Sequence, residues 1–177
     1  MLFRSHGGLL VEIAKWAAQK GVAVELTGVD SNSNSIHAAR KRFSEEKVDV
    51  HVVLFSGADL GSIEDNAFDI TLSTQTLHHL VNVTNLKGFL TELHRTARYG
   101  FLITDCCRVW YVPLSMWIIN TPPFGNDPLI RHDGVLSWRR AYNAKEMRFL
   151  VDNISELESV TIKRHPLMPY FVMSEEK

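Results

Sequence analysis

Cysteine is nearly absent: Cys106 and Cys107 are the only two, and they are adjacent. Neighbouring cysteines rarely bridge, so no disulfide framework is available and the expected setting is a reducing one, the cytoplasm. Charge of one sign is equally scarce. Lys and Arg number 19 against 20 Asp and Glu, a net charge of -1, which leaves no overall field to gather nucleic acid or an anionic membrane. No apolar run is long enough to cross a bilayer as an integral segment, and residues 1–8 lack the basic stretch and apolar core of a secretory signal. Repeats and low-complexity tracts are missing too. What remains is an ordinary globular composition, 177 residues with 45% hydrophobic, expected to form one domain over 1–177 with a real core.

The periodicity alternates. Residues 8–20 place Leu9, Ile13, Trp16 and Leu10, Ala14, Ala17 at helical spacing before Lys20-Gly21, a helix with a stop signal. Residues 22–29 read as a strand ending on Asp30; Ile36, Ala39 and Phe43 give the next helix its apolar stripe; residues 50–55 read as a short buried strand. Residues 68–73 form another strand, leading into Leu77-His78-His79-Leu80. Asn82 or Thr84 can cap a helix carrying Leu86, Phe89, Leu90, Leu93 and Ala97, and residues 101–104 follow as a strand. Such alternation predicts an α/β fold with a doubly wound, Rossmann-like, mostly parallel sheet. Sites of such sheets lie at the carboxyl ends of strands, which selects Asp30, residues 56–59, 73–79 and 105–108. A carboxylate at Asp30 can accept both hydroxyls of a ribose; the plainer reading is that it opens the following helix.

From Val109 to Phe124 no residue is charged, and Trp110, Tyr111, Met116 and Trp117 lie in this span ahead of Pro122-Pro123. A core helix, a membrane-surface helix and an apolar lid over a substrate pocket are the competing readings; the lid is the expectation, with residues 109–142 as a substrate insertion. Residues 131–142, Arg-His-Asp-Gly through Arg-Arg-Ala-Tyr, concentrate polar groups and read as a loop before a helix with Asn143 and Glu146 at capping-box spacing. Residues 157–163 and 167–173 read as a terminal antiparallel hairpin.

The strand ending in Asp30, the Phe68-Asp69 strand, Leu77-His78-His79-Leu80 and the terminal hairpin, in that order, resemble the class I S-adenosylmethionine-dependent methyltransferases, especially the small-molecule branch with quinone-type enzymes. The resemblance covers nearly the whole chain. It implies S-adenosylmethionine as cofactor, with Asp30 on the ribose hydroxyls, Ser31 and Asn32 beside the adenine, Gly57, Ala58 and Asp59 bordering that ring, Thr74 and Gln75 running past the methionine portion, and Gly7 and Gly8 matching the tail of the family's glycine-rich loop. It further implies methyl transfer to a small, partly apolar acceptor of phenol or quinone type.

Two departures stand out. The family begins with a strand and several glycines, whereas only six residues precede Gly7. Without that strand two neighbours would lack partners and flank an open apolar slot; residues 1–6, another chain or a truncated gene product are the possible explanations, truncation being the expectation. At the adenine turn, Gly57 stands where the family often has an acidic residue, with Asp59 two residues on.

Methyl transfer needs alignment and exclusion of water more than side-chain chemistry, and a general base where the acceptor is a hydroxyl or an acidic carbon. Candidate catalytic groups are His79, His78, Asp105 and His132, the last with Asp133; each histidine is also a plausible structural hydrogen-bonder, and Asp-Gly is a turn signal. Arg131, Arg139 and Arg140 can clamp an anion or face solvent. No Cys-x-x-Cys spacing exists, and no metal is expected. Two other readings compete: a non-catalytic remnant serving as a binding or oligomerisation module, including a homodimer, and a nicotinamide-binding Rossmann protein, for which the glycine fingerprint is incomplete.

Overall fold

The computed structural model describes residues 7–55, 61–119, 128–157, 159–166 and 168–177, without the side chains of 116, 119 and 128–133. Helix α1, Gly8–Lys20, ends on Gly21 in the left-handed region (φ 66°), the conformation glycine adopts most freely. Of its two apolar stripes the one through Leu10 and Ala17 is buried, with Val11, while Trp16 is exposed. Strand β1, Thr27–Asp30, leads into α2, Ser33–Glu46, capped by the Asn32 side chain and buried along Ile36, Ala39 and Phe43. Strand β2, His51–Leu54, pairs with β1 in parallel.

Strand β3, Thr71–Thr74, is followed by a 3-10 turn, Leu77–His79, and by α3, Val83–Thr96, which Asn82 caps. Leu86, Phe89, Leu90 and Leu93 of α3 are fully buried, as the spacing predicts. Strand β4, Gly100–Cys106, runs parallel to β3. Helices α4, Val112–Ile119, and α5, Pro128–Arg140, pack on each other, and α5 also packs on the Leu77–His79 turn. Helix α6, Ala144–Val151, starts with a complete Asn143/Glu146 capping box. Strands β5, Val160–Arg164, and β6, Tyr170–Glu176, form the terminal antiparallel hairpin, with β6 against β4.

The expected α/β architecture is therefore present, with parallel pairs and a closing antiparallel hairpin. Its strand order runs β2-β1 in one ladder and β3-β4-β6-β5 in the other. Between β1 and β3 lies a cleft of about 580 Å³, whose lining includes Leu10 and Ile13 of α1, Val24, Leu26, Ile70 and Leu72. Among the described residues no ladder joins the two strands across it.

Three expectations need correction. The strand predicted over 22–29 is confined to Thr27–Asp30; β2 begins only at His51, whose N–H reaches Leu26 O, and on the cleft side no described strand pairs with 22–26. Strand β2 is half-exposed, not buried, with His51 and Leu54 open to solvent. Residues 131–140 are helical rather than a loop; packing against α4 and the Leu77–His79 turn outweighs the Asp133-Gly134 turn signal.

Candidate functional site

The carboxyl ends of β1, β3 and β4 converge on the chemistry-bearing residues. Asp30, the last residue of β1, is 6% exposed. Its Oδ1 accepts the Asn32 N–H at 2.8 Å, which fixes the carboxylate at the strand end. Helix α2 is capped by Asn32, whose side chain accepts from Asn34 N at 2.9 Å. The capping role considered for Asp30 thus belongs to Asn32. Ser31 and Asn32 are exposed beside it.

Gly7 and Gly8 stand at the start of α1. Gly7 has φ +75°, and a Cβ there would come within 2.3 Å of Phe43 Cζ on α2. The missing side chain therefore already serves the contact between α1 and α2.

On β3, Thr74 is half-buried, and the next residue, Gln75, adopts φ 54°. A non-glycine residue in the left-handed region is uncommon and marks a place where the surroundings impose the backbone. Two contacts do so: Gln75 N donates to Thr104 O at 2.9 Å, and the Cys106 thiol donates to Gln75 Oε1 at 3.0 Å.

Next to it lies a buried polar centre. Asp105 and His78 are each 1% exposed, and His78 Nδ1 is 2.5 Å from Asp105 Oδ1. That oxygen also accepts Cys106 N–H at 2.6 Å, while Oδ2 accepts Leu77 N–H at 2.5 Å. Buried carboxylates need such saturation. His78, Asp105 and Cys106 have donor atoms within 4.8 Å of one another, a grouping that could be read as a metal site, but both carboxylate oxygens are already engaged by protein donors. His79, by contrast, is exposed, and its ring lies 4.2 Å from that of His78, centroid to centroid.

One contact ties the residue 109–142 region to this centre and another closes the region on itself. Tyr142 Oη donates to Leu80 O at 3.0 Å, just past the histidine turn, and Trp138 Nε1 donates to Val109 O at 2.6 Å. Burial pushes the Tyr142 phenol above its ordinary range, so it stays a donor. Arg108 pairs with Glu146 of α6. Sequence reasoning missed these tethers, since a Tyr or Trp donor bonded to a distant carbonyl has no periodic signature. Cys107 is buried and its thiol is raised by desolvation, which makes it inert. Of the remaining predicted site residues, Gly57, Ala58 and Asp59 lie outside the described residues, as does the side chain of His132.

No curated protein matches the chain by sequence. Among solved structures it resembles a SAM-dependent methyltransferase from Methanosarcina mazei, at TM-score 0.67 and 17% identity over 99% of this chain and 90% of that one. A SAM-dependent methyltransferase from Aquifex aeolicus gives TM-score 0.65 and 16% identity over 98% and 78% of the two chains. The plantazolicin methyltransferase BamL, solved with a triazolic desmethyl-plantazolicin analogue and SAH, gives 0.71 and 12% over 98% and 73%. These likenesses establish the fold. Residues 7–103, more than half of the chain, match the family model described as a methyltransferase domain. The chain belongs to the methyltransferase-domain family and is a class I methyltransferase dependent on S-adenosylmethionine.

Proposed function

We propose that the protein methylates a small, partly apolar acceptor of phenol or quinone type, with the histidine turn after β3 handling the proton. The observation that carries this reading is the buried Asp105–His78 pair, set beneath α5 and beside the exposed His79. Bound S-adenosylmethionine supplies an activated methyl group on a sulfonium. Asp30 holds the ribose hydroxyls, Ser31 and Asn32 flank the adenine with Gly57, Ala58 and Asp59, and the backbone of Thr74 and Gln75 borders the methionine portion. Gly7 and Gly8 let the start of α1 approach that portion.

Asp105 orients His78, and the pair fixes the turn that presents His79. His79 would take the proton of an acceptor hydroxyl held against it; S-adenosylmethionine, where bound, would supply the methyl group to that oxygen and leave as S-adenosylhomocysteine. Residues 109–142 act as a lid: α5 rests on the turn, His132 is carried on it, and apolar α4 shields the reaction from water. A proton acceptor is needed here because phenols are largely protonated near neutrality, with side-chain phenols titrating at about 10.

A panel of phenols and hydroquinones incubated with S-adenosylmethionine tests the acceptor, and calorimetric titration of S-adenosylhomocysteine tests the cofactor site separately. His79→Gln is expected to lower kcat at least about tenfold and to abolish the ascending limb of the pH–rate profile, leaving S-adenosylhomocysteine affinity intact. Asp30→Ala is expected to weaken that affinity more than about tenfold. Unchanged kcat in the first variant removes His79 from the mechanism; unchanged affinity in the second removes Asp30 from the site. The cleft between β1 and β3 favours a second reading, a binding or dimerising module without catalysis. A folded sample that ignores S-adenosylhomocysteine but sediments as a dimer would establish it.

A further inference from the structure

We infer that the outer face of α4 is a docking surface for an anionic membrane, on which the protein sits without inserting a span. Helix α4 has the sequence Val-Pro-Leu-Ser-Met-Trp-Ile-Ile, with no polar side of its own. Val112 faces inward and is buried. Outward, Trp110 is 84% exposed, Trp117 59%, Leu114 56% and Ile118 45%. Positions 114, 117 and 118 fall on one stripe at helical spacing, and Trp110 stands in the turn just ahead of the helix. Four large apolar side chains clustered on one exposed face mark an interaction surface rather than scattered surface residues.

The rim of the stripe identifies the partner. The end of α5 meets the approach to α4 through the Trp138–Val109 bond, 2.6 Å long, and the two residues that follow Trp138, Arg139 and Arg140, are exposed. No aspartate or glutamate occurs between Cys106 and Asn126. The patch is thus apolar and free of carboxylates along its own stretch, and the helix packed on α4 ends in two exposed arginines; in a protein whose net charge is only -1 the attraction is local, not global. Tryptophan settles at the headgroup boundary, where its apolar ring and N–H are both accommodated. Arginine near an anionic surface adds an electrostatic attraction that neutral lipid does not offer. Eight residues of helix extend about 12 Å, far short of a span but suited to lying in the interface, with the folded domain taking the place of the polar helix face. A second copy of the chain fits less well, because residues 107–119 offer no carboxylate to the arginines of its rim.

Cosedimentation of the full chain with phosphatidylcholine vesicles, with and without phosphatidylglycerol, decides the matter. Wild type is expected to pellet with the anionic vesicles and largely stay in solution with the neutral ones. The Trp110→Ser/Trp117→Ser variant is expected to bind at least about tenfold more weakly, and Arg139→Glu/Arg140→Glu to lose the preference for phosphatidylglycerol. Circular dichroism and thermal melts establish that the variants are folded. Wild type that ignores both vesicle types overturns the inference, as does tryptophan-variant binding equal to wild type. A dimer on gel filtration that Trp110→Ser/Trp117→Ser dissolves, with no vesicle binding, also overturns it and assigns the face to a second copy.

Discussion

At the scale of single residues, Asp105 shows how one carboxylate organises a site. Its two oxygens take Cys106 N–H, Leu77 N–H and the His78 ring, so the end of β4 is fastened to the turn after β3. Replacing one oxygen with an amide nitrogen sets donor against donor in a place closed to water. Leaving a buried group unpaired costs about 1–3 kcal/mol. Asp105→Asn is therefore expected to lose about 3 kcal/mol of stability in urea titrations, and to depress kcat through displacement of His79. Stability equal to wild type would show that the carboxylate is not required as an acceptor.

Cys107 and Tyr142 give the molecule an alkaline limit. Both groups are pushed upward by desolvation, so the folded state keeps these protons after the unfolded chain has begun to release them. Stability from such groups is complete below their unfolded values, about 8.5 for a thiol and 10 for a phenol, and is lost as pH rises through the raised folded values. The melting temperature should therefore fall from about pH 8.5 upward. In Cys107→Ala the melting temperature is lower at neutral pH, but its decline between about pH 8 and 10 is shallower. Parallel slopes for the two proteins would exclude Cys107 as a source of the effect.

At the scale of elements, the sequence was legible wherever the determining contacts are local. The stripes of α2 and α3, the caps at Asn82 and Asn143 and the terminal hairpin follow from local spacing, whereas the cap of α2 fell on Asn32 and not on Asp30. The length of β1 was not legible, because a strand extends only as far as its neighbours pair with it. Nor was α5, whose polar sequence is held helical by what it rests on. The site divides the same way: strand-end residues Asp30, Gln75 and Asp105 were visible from the sheet rule, but the pairing of Asp105 with His78 rather than with exposed His79 depends on a crossing between β4 and the turn. Gly100 illustrates the sharper constraint. It opens β4 at φ +133°, and a Cβ there would lie 1.9 Å from the Glu175 carbonyl oxygen on β6. Gly100→Ala should prise the hairpin from β4 and cost about 3 kcal/mol or more, read as a lower urea midpoint. A midpoint within error of wild type would mean the β4–β6 register tolerates a side chain there.

At the scale of the whole molecule, the protein has two hydrophobic clusters of unequal size. The larger gathers α3, β4, α6 and the hairpin around Phe89, Phe101, Met147 and Phe171, and takes in Val29 from one face of β1. The smaller consists of Leu10 and Val11 of α1 and Ala39 and Phe43 of α2, with Leu26, Val48, Val50 and Val52 packed against it, and it covers the other face of the β1–β2 ladder. Between them lies the cleft that no described strand bridges. Burial stabilises in proportion to apolar area, and a two-stranded ladder is marginal by itself, so the β1–β2 side is the weaker unit. Native-state hydrogen exchange should show the ladder amides of Gly28 and Val53 opening at a free energy well below that of Ile103 and Met173, with the gap closing as urea rises toward global unfolding. If Asp30 at the end of β1 binds S-adenosylhomocysteine as proposed, the ligand should raise protection of Gly28 and Val53 more than that of Ile103. Equal protection on both sides of the cleft before ligand is added would mean that the two units already unfold as one.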